Sequence, residues 1–397
     1  MANDDTRGIG ERIIEALDAA GYRRRSAASK VSVMGGGSGD EAVAAGRDLL
    51  GLLARTGGYS VPSWPVELGG AGLSGNGAAL REVAAATAQF ELPDLYPFGV
   101  GTALVGPTVI EHGTDEQRTT WLPKIADGSE IWCQLFSEPD AGSDLANLAC
   151  RAERDGDVWR ITGQKVWSSR AHYSDWGLLL ARTDPAQPKH AGITAFGVPM
   201  KQDGVVVRPL IQLNGDDHFN EVFLDGAIVD DRWRIGGIGQ GWSIALTTLA
   251  HERSGLGGSG MGGGISKAQV LDLARRTDRS TDPLARQRLA RAYTGMEIGR
   301  LSRVVGAGTH GSAAKLRMVA STKSVADLAA DLLGPAAVAA SSGDGFDEWR
   351  TLFLTAPSMS IRGGTDEVQR NIVGERVLGL PPEPRVDKGI PFRDVRR

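Results

Sequence analysis

The stretch Cys133-Gln-Leu-Phe-Ser-Glu-Pro-Asp-Ala-Gly-Ser-Asp144 follows a helix-like segment, Trp121 to Ile131, and precedes an alternating, strand-like region. Its second half packs Glu138, Pro139, Gly142 and Ser143 into one tight turn. Gly142 is free to take positive φ, and successive backbone N–H groups in such a turn can converge on an anion. On these residues alone, an ordinary helix-to-strand loop accounts for them equally well. A second candidate is His251-Glu252-Arg253. At about 100° per residue from Trp242, Ala245, Leu246 and Leu249 define an apolar helix face. Arg253 falls at its middle and Glu252 at its edge. A carboxylate at the rim of a buried face beside a pocket has a raised pKa, which suits it to take a proton from carbon. The plainer reading is a structural Glu–Arg pair.

These residues need elements to hold them. Helical patterns run over Gly10–Ala19, Glu41–Thr56, Gly77–Gln89, Gly99–Glu111 and Asp115–Ile125, with Thr114 placed to cap the last. Prolines and glycines interrupt helical order from Val61 to Leu73, and Val33–Asp40 reads as a loop. From Trp132 to about Val229 the period changes to two. Strands are expected at Val158–Thr162, Trp176–Arg182, Gly192–Pro199, Val205–Leu210 and Asn220–Leu224. Helical periodicity returns at Trp242 and continues in Pro283–Val305, Ala313–Leu333 and Thr365–Val377, with Gly334-Pro335 as a stop. The order predicts an α+β chain: a helical domain over 1–131, a central antiparallel β-barrel or sandwich over 132–237, and a helical bundle over 238–397. The segment after Pro381 reads as an exposed extension.

The 397 residues are 41% hydrophobic and 23% charged, as in an ordinary globular protein. A net charge of −4 gives no electrostatic footprint for nucleic acid. Two cysteines, Cys133 and Cys150, support neither a disulfide framework nor a cysteine-based metal site, so no metal is expected. No apolar run is long enough to span a membrane and no signal-peptide pattern opens the chain, so a cytoplasmic location is expected.

Four stretches in register carry a resemblance: Cys133–Asp144, Gly163-Gln-Lys-Val-Trp-Ser-Ser169, Gly239-Gln-Gly-Trp242 leading to His251-Glu252-Arg253, and Ile361-Arg-Gly-Gly-Thr-Asp-Glu-Val-Gln-Arg370. Together they resemble the acyl-CoA dehydrogenase family, from about Trp64 to Pro381. The resemblance implies FAD, with Gln134, Phe136, Ser137, Trp167 and Ser169 around the flavin and Thr365 and Glu367 touching the cofactor from the C-terminal motif. An isoalloxazine needs flat aromatic cover and donors aimed at its nitrogens and carbonyls. Without the other motifs, Trp167 reads as a core tryptophan. Ser143 matches a position near the thioester and pantetheine entry, and Arg253 is placed in the substrate site.

The reaction implied is α,β-dehydrogenation of an acyl-CoA thioester, with the α-proton going to a carboxylate and the β-hydride to flavin N5. Many family members keep that carboxylate just before the Gly-Thr of the C-terminal motif, where this chain has Gly363. Glycine cannot accept a proton. Other members place the base directly before an arginine on a C-terminal-domain helix, and Glu252 matches that position. The Gly363 N–H remains available to the thioester oxygen.

Two family elements are altered. Ala274-Arg-Arg-Thr-Asp-Arg279 lacks the Phe-Gly of an Arg-x-x-Phe-Gly motif, and Asp331-Leu-Leu-Gly-Pro335 replaces Gln-x-Leu-Gly-Gly. In homomeric members both reach the neighbouring subunit's FAD. The resemblance therefore implies a hetero-oligomer with a second acyl-CoA dehydrogenase-like subunit, a homo-oligomer being the alternative, and an electron-transfer flavoprotein-like acceptor. Glycines at Gly255–Gly264 and Gly363 point to a branched or bulky acyl group, such as a sterol side chain. Two rival readings stay open: a flavin oxidase or monooxygenase on the same fold, and a non-catalytic partner subunit.

Overall fold

The computed structural model describes residues 8–25, 39–256, 265–305, 310–339, 343–384 and 387–395, without the side chains of 253–256 and 303–305. Arg253 as a substrate ligand, most of the Gly255–Gly264 stretch and residues 33–38 of the expected loop lie outside the described residues.

Six helices open the chain: α1 (Ile9–Ala19), α2 (Asp40–Gly57), α3 (Gly77–Thr87), α4 (Tyr96–Val100), α5 (Gly106–His112) and α6 (Asp115–Ala126). The expected helix over Gly99–Glu111 is divided, because a π-helical turn at Gly101–Val105 joins α4 to α5. Thr114 caps α6 as expected. Its hydroxyl accepts the Gln117 N–H at 3.2 Å, while Gln117 Oε1 takes the Thr114 N–H at 3.0 Å. The same Gln117 is fully buried and donates Nε2 to the carbonyls of Arg232 (2.6 Å) and Arg234 (2.9 Å), so one residue caps a helix and ties it to the sheet.

Eight strands follow: β1 (Trp132–Leu135), β2 (Arg151–Asp155), β3 (Val158–Ser169), β4 (Trp176–Arg182), β5 (Ile193–Pro199), β6 (Val205–Leu210), β7 (Phe219–Asp230) and β8 (Arg234–Ile235). They form one sheet in the order β6-β7-β3-β2-β4-β5-β8, with β1 beside β4. The sheet is mixed rather than purely antiparallel. Both β1 and β2 run parallel to β4, β1 along Trp176–Leu179 and β2 at Arg182. The chain between them is therefore pinned to β4 at both ends and loops out. On one face of the sheet, Trp121, Trp132, Trp176 and Trp233 meet with ring centroids 5.0–5.6 Å apart. This aromatic group joins α6 to the strands.

The last part is helical again: α7 (Gly241–Leu256), α8 (Lys267–Arg276), α9 (Pro283–Val305), α10 (Gly311–Leu333), α11 (Asp347–Thr355) and α12 (Asp366–Ile372), the last continuing into a π-helical turn at Val373–Val377. Helices α7, α8, α9, α11 and α12 all contact α10. The segment after Pro381 is not simply an exposed extension. Phe392 is 6% exposed, stacks under the Arg182 guanidinium at 3.7 Å, and its N–H bonds the Gln187 carbonyl. Burying an aromatic ring against a cation brings this end back onto the sheet.

Candidate active site

The loop after β1 is held by a lysine that the sequence reading left without a role. Lys165 on β3 is fully buried. Its Nζ donates to the Phe136 carbonyl (3.0 Å) and to Glu138 Oε1 (2.8 Å). Glu138 also accepts the N–H groups of Ala149 (2.7 Å) and Cys150 (2.9 Å). A buried ion pair needs further hydrogen bonds to offset its desolvation, and here the carboxylate has two backbone donors and the ammonium a carbonyl. Val166 N–H adds a bond to the Ser137 carbonyl at 2.9 Å, and Glu138 and Ala141 exchange two backbone bonds of 3.1 Å. The tight turn is present, but Gly142 is not among the residues with positive φ. The Glu138–Ala141 pair closes the turn before Gly142 is reached.

This stitching brings Phe136 and Ser137 against the strand that carries Trp167 and Ser169. Gln134 and Ser137 are half-buried, Ser143 is exposed, and the Phe136 side chain lies in the core. Trp167 is no core tryptophan. The β3–β7 register slips between Lys165 and Ser168, which puts Val166 and Trp167 opposite Glu221 alone. Such a bulge re-aims a side chain. Trp167 takes φ 59° and is 59% exposed, with its ring edge-on to Phe219 at 5.7 Å. Beside it, the buried Ser168 Oγ has no hydrogen-bond partner among the described residues, and Ser169 is half-buried opposite Phe219.

At the C-terminal motif, Gly363 and Gly364 take φ 66° and 83°, a left-handed pair that side chains disfavour. The Gly363 carbonyl accepts Gln369 Nε2 at 3.1 Å. Thr365 caps α12 through the Val368 N–H (3.2 Å), and Lys315 of α10 anchors Asp366 at 2.9 Å. Glu367 points outward, its side chain 78% exposed and 3.7 Å from Arg370.

On α7 the buried stripe is Gly241, Ile244, Ala245 and Thr248, while Leu246 is 41% exposed. Leu246 therefore does not belong to the face expected from sequence. At about 100° per residue, Glu252 lies about 20° from Ala245, near the middle of the stripe rather than its edge. Thr248 bonds Thr108 of α5 at 2.9 Å and docks the preceding turn, and Glu252 itself is half-buried. The 3-10 turn at Ala356–Ser360 and α12, which flank the Gly363 turn, contact α10, and so does the helix carrying Glu252.

Cysteine chemistry is excluded by burial, which pushes Cys133 up to about 12 and Cys150 up to about 11, so both stay protonated thiols. Among the described residues no cluster could hold a metal ion, and no helix is long and apolar enough to cross a membrane.

Residues 39–129, 133–226 and 239–378 match the N-terminal, middle and C-terminal domains of acyl-CoA dehydrogenase. The chain belongs to the acyl-CoA dehydrogenase family. It is 43% identical over 338 residues to acyl-CoA dehydrogenase IpdE1 of Mycobacterium tuberculosis, covering 82% of this chain and 86% of that protein. It is 38% identical to acyl-CoA dehydrogenase FadE34 of the same organism, covering 93% of this chain but 52% of FadE34. Among solved structures, the Tcur3481-Tcur3483 steroid ACAD superposes with a TM-score of 0.72 at 29% identity, covering 87% of this chain and 93% of that one. The ChsE4-ChsE5 complex from Mycobacterium tuberculosis gives 0.70 at 29% identity, covering 85% and 90%.

As a member of the family the protein is an FAD-dependent acyl-CoA dehydrogenase. The residues present fit that cofactor, since an outward tryptophan plane and an unpartnered buried hydroxyl lie on the strand to which the loop is stitched.

Proposed function

We propose that Glu252 is the base that takes the α-proton of the acyl-CoA, while the Gly363 N–H polarises the thioester carbonyl. The observation that carries this reading is the pairing of a left-handed glycine at the position of the usual carboxylate with a carboxylate on the buried stripe of α7. FAD, when bound, supplies the acceptor for the β-hydride. Gln134 and Ser137 line the loop side of the ring, Trp167 and Ser169 cover the strand side, and Phe136 contributes only backbone because its side chain is buried. Thr365 and Glu367 reach the cofactor from α12, and Ser143 and Arg253 belong to the thioester entry. The domain boundaries fall at 131/132 and 237/238.

The assembly is a heteromer with a second subunit of the same family that supplies the Arg-x-x-Phe-Gly and Gln-x-Leu-Gly-Gly elements. The altered Ala274–Arg279 and Asp331–Pro335 segments support it. So does the likeness to a two-component steroid ACAD and to the ChsE4-ChsE5 complex. Asp331 is ion-paired with Arg288 of α9, which offsets its charge but also withdraws it from any role of the family's glutamine. The acyl group is bulky, of sterol side-chain type, and the electron acceptor is of the electron-transfer flavoprotein type.

Anaerobic mixing of the FAD-loaded protein with a panel of acyl-CoAs tests the whole reading. Bleaching of the flavin spectrum by at least one thioester is expected. Rapid reoxidation by oxygen without dehydrogenation would favour the oxidase alternative.

A further inference from the structure

Near the end of β3 and the Gly363 turn stands a cationic group that the reaction above does not use, buried at Arg170 and half-buried at Arg362. Arg170 follows Ser169 directly, is 1% exposed, and none of its three guanidinium nitrogens has a hydrogen-bond partner among the described residues. Its backbone is fixed, because the N–H bonds the His218 carbonyl at 2.7 Å and φ is 58°. Its guanidinium lies over the Tyr96 ring, 5.4 Å from the centroid. The His218 ring stands edge-on to Tyr96 at 5.6 Å, is 1% exposed, and accepts Gln212 Nε2 at Nδ1 (3.0 Å). The ring proton is thereby left on Nε2, an N–H with no partner among the described residues. Arg362, the residue before Gly363, donates to the Met359 thioether, a weak acceptor, at 2.6 and 3.1 Å.

Burial, then the positive charges of Arg170 and Arg362, hold His218 down to about 4, so the imidazole is neutral and these groups share one neighbourhood. Three carboxylates are near. Asp94 takes the Tyr96 N–H at 2.9 Å and feels the Arg170 charge, Asp216 is held by Asn214 at 2.7 Å and stands 3.7 Å from His218 Nδ1, and the charge of the exposed Asp217 acts on His218. Among the described residues none of them hydrogen-bonds a guanidinium of this group. Buried donors without acceptors are costly, and a guanidinium most of all.

We propose that Arg170, Arg362 and His218 recognise an oxygen acceptor on the acyl group, a carboxylate or a ketone remote from the thioester. Chain connectivity ties the group to the site: Arg170 directly follows the Trp167–Ser169 cover and Arg362 directly precedes Gly363. The proposal rests on the acyl-CoA reading and narrows it to oxygenated substrates. A hydrocarbon chain would leave the Arg170 and His218 donors buried and unmet.

The test uses the FAD-loaded protein, with its second subunit where assembly requires it. Matched CoA thioesters are compared at several chain lengths, ending in a methyl group, a carboxylate or a methyl ketone. Affinity is read by calorimetry, independently of turnover, and flavin bleaching is read separately. At the matching length an oxygenated thioester should bind about tenfold to a hundredfold more tightly than its hydrocarbon analogue. The arm that wins tells carboxylate from ketone. Arg170→Met should collapse that ratio towards one, and Arg170→Lys should recover part of it. Arg362→Met gives the same readout should Arg170→Met fail to fold. A ratio near one at every length in the unaltered protein, or a ratio that survives both methionine variants, overturns the proposal. Selective binding with no thioester able to bleach the flavin would uphold this recognition group and sink the catalytic reading instead.

Discussion

Lys165 Nζ lies 2.8 Å from Glu138 Oε1, and this buried pair joins the strand under Trp167 to the loop that carries Ser137. Lys165→Met removes the cation and leaves a carboxylate held only by two backbone N–H groups. Breaking a buried pair in this way costs about 3–5 kcal/mol. The urea midpoint should fall accordingly and FAD should be lost before global unfolding. In Lys165→Met/Glu138→Gln the cost should be smaller than the sum of the two single changes, because no charge is left stranded.

Trp167→Ala should separate cofactor binding from folding. The ring is 59% exposed, so its loss should change stability by no more than about 0.5 kcal/mol. FAD occupancy, read from the ratio of flavin to protein absorbance, should drop. An unchanged flavin spectrum at full occupancy would remove Trp167 from the site.

Glu252→Gln keeps the side-chain shape and removes the proton acceptor. Flavin reduction by substrate should slow by about 10² to 10⁴ in stopped-flow experiments, with FAD still bound. Reduction at the unaltered rate would move the base elsewhere.

His218 gives the stability a defined pH dependence. Its folded pKa, about 4, lies below the ordinary 6.5, so the unfolded chain binds the extra proton first as pH falls. This contribution is fully present above about pH 6.5 and is lost as pH falls towards about 4. At about 1.4 kcal/mol per pH unit the loss amounts to about 3 kcal/mol. Denaturation curves of the unaltered protein and of His218→Gln should differ in slope across that window and run parallel above it.

Gly197 on β5 faces the indole of Trp121, and a Cβ there would stand 2.8 Å from it. Gly197→Ala should cost about 1–3 kcal/mol through overpacking, seen as a lowered melting temperature. An unchanged melting temperature would mean that the tryptophan group yields freely.

Much of the frame was legible because it obeys local rules. The cap at Thr114, the alternation of Trp176–Arg182 and the Gly334-Pro335 stop each act within a few residues. What sequence missed depends on distant partners or on weak patterning. Arg151–Asp155 is four-fifths charged and has one buried side chain, Ala152, so no alternation marks it as a strand. Helices α8 and α11 were passed over, their apolar stripes short and set among charged residues. Lys165 was in plain view within Gly163–Ser169, but its importance comes from a glutamate 27 residues earlier. Trp167 was assigned to the flavin by resemblance, while the bulge that turns it outward exists only in the register of β3 on β7.

The tryptophan group at the seam of α6 and the sheet also makes the protein report on itself optically. Four of its nine indoles lie within coupling distance of one another, whereas the C-terminal helices hold only Trp242 and Trp349. Exciton coupling among those four should dominate the near-ultraviolet circular dichroism. That signal will follow the parting of the first helices from the strands, and it will be nearly blind to loosening around α10.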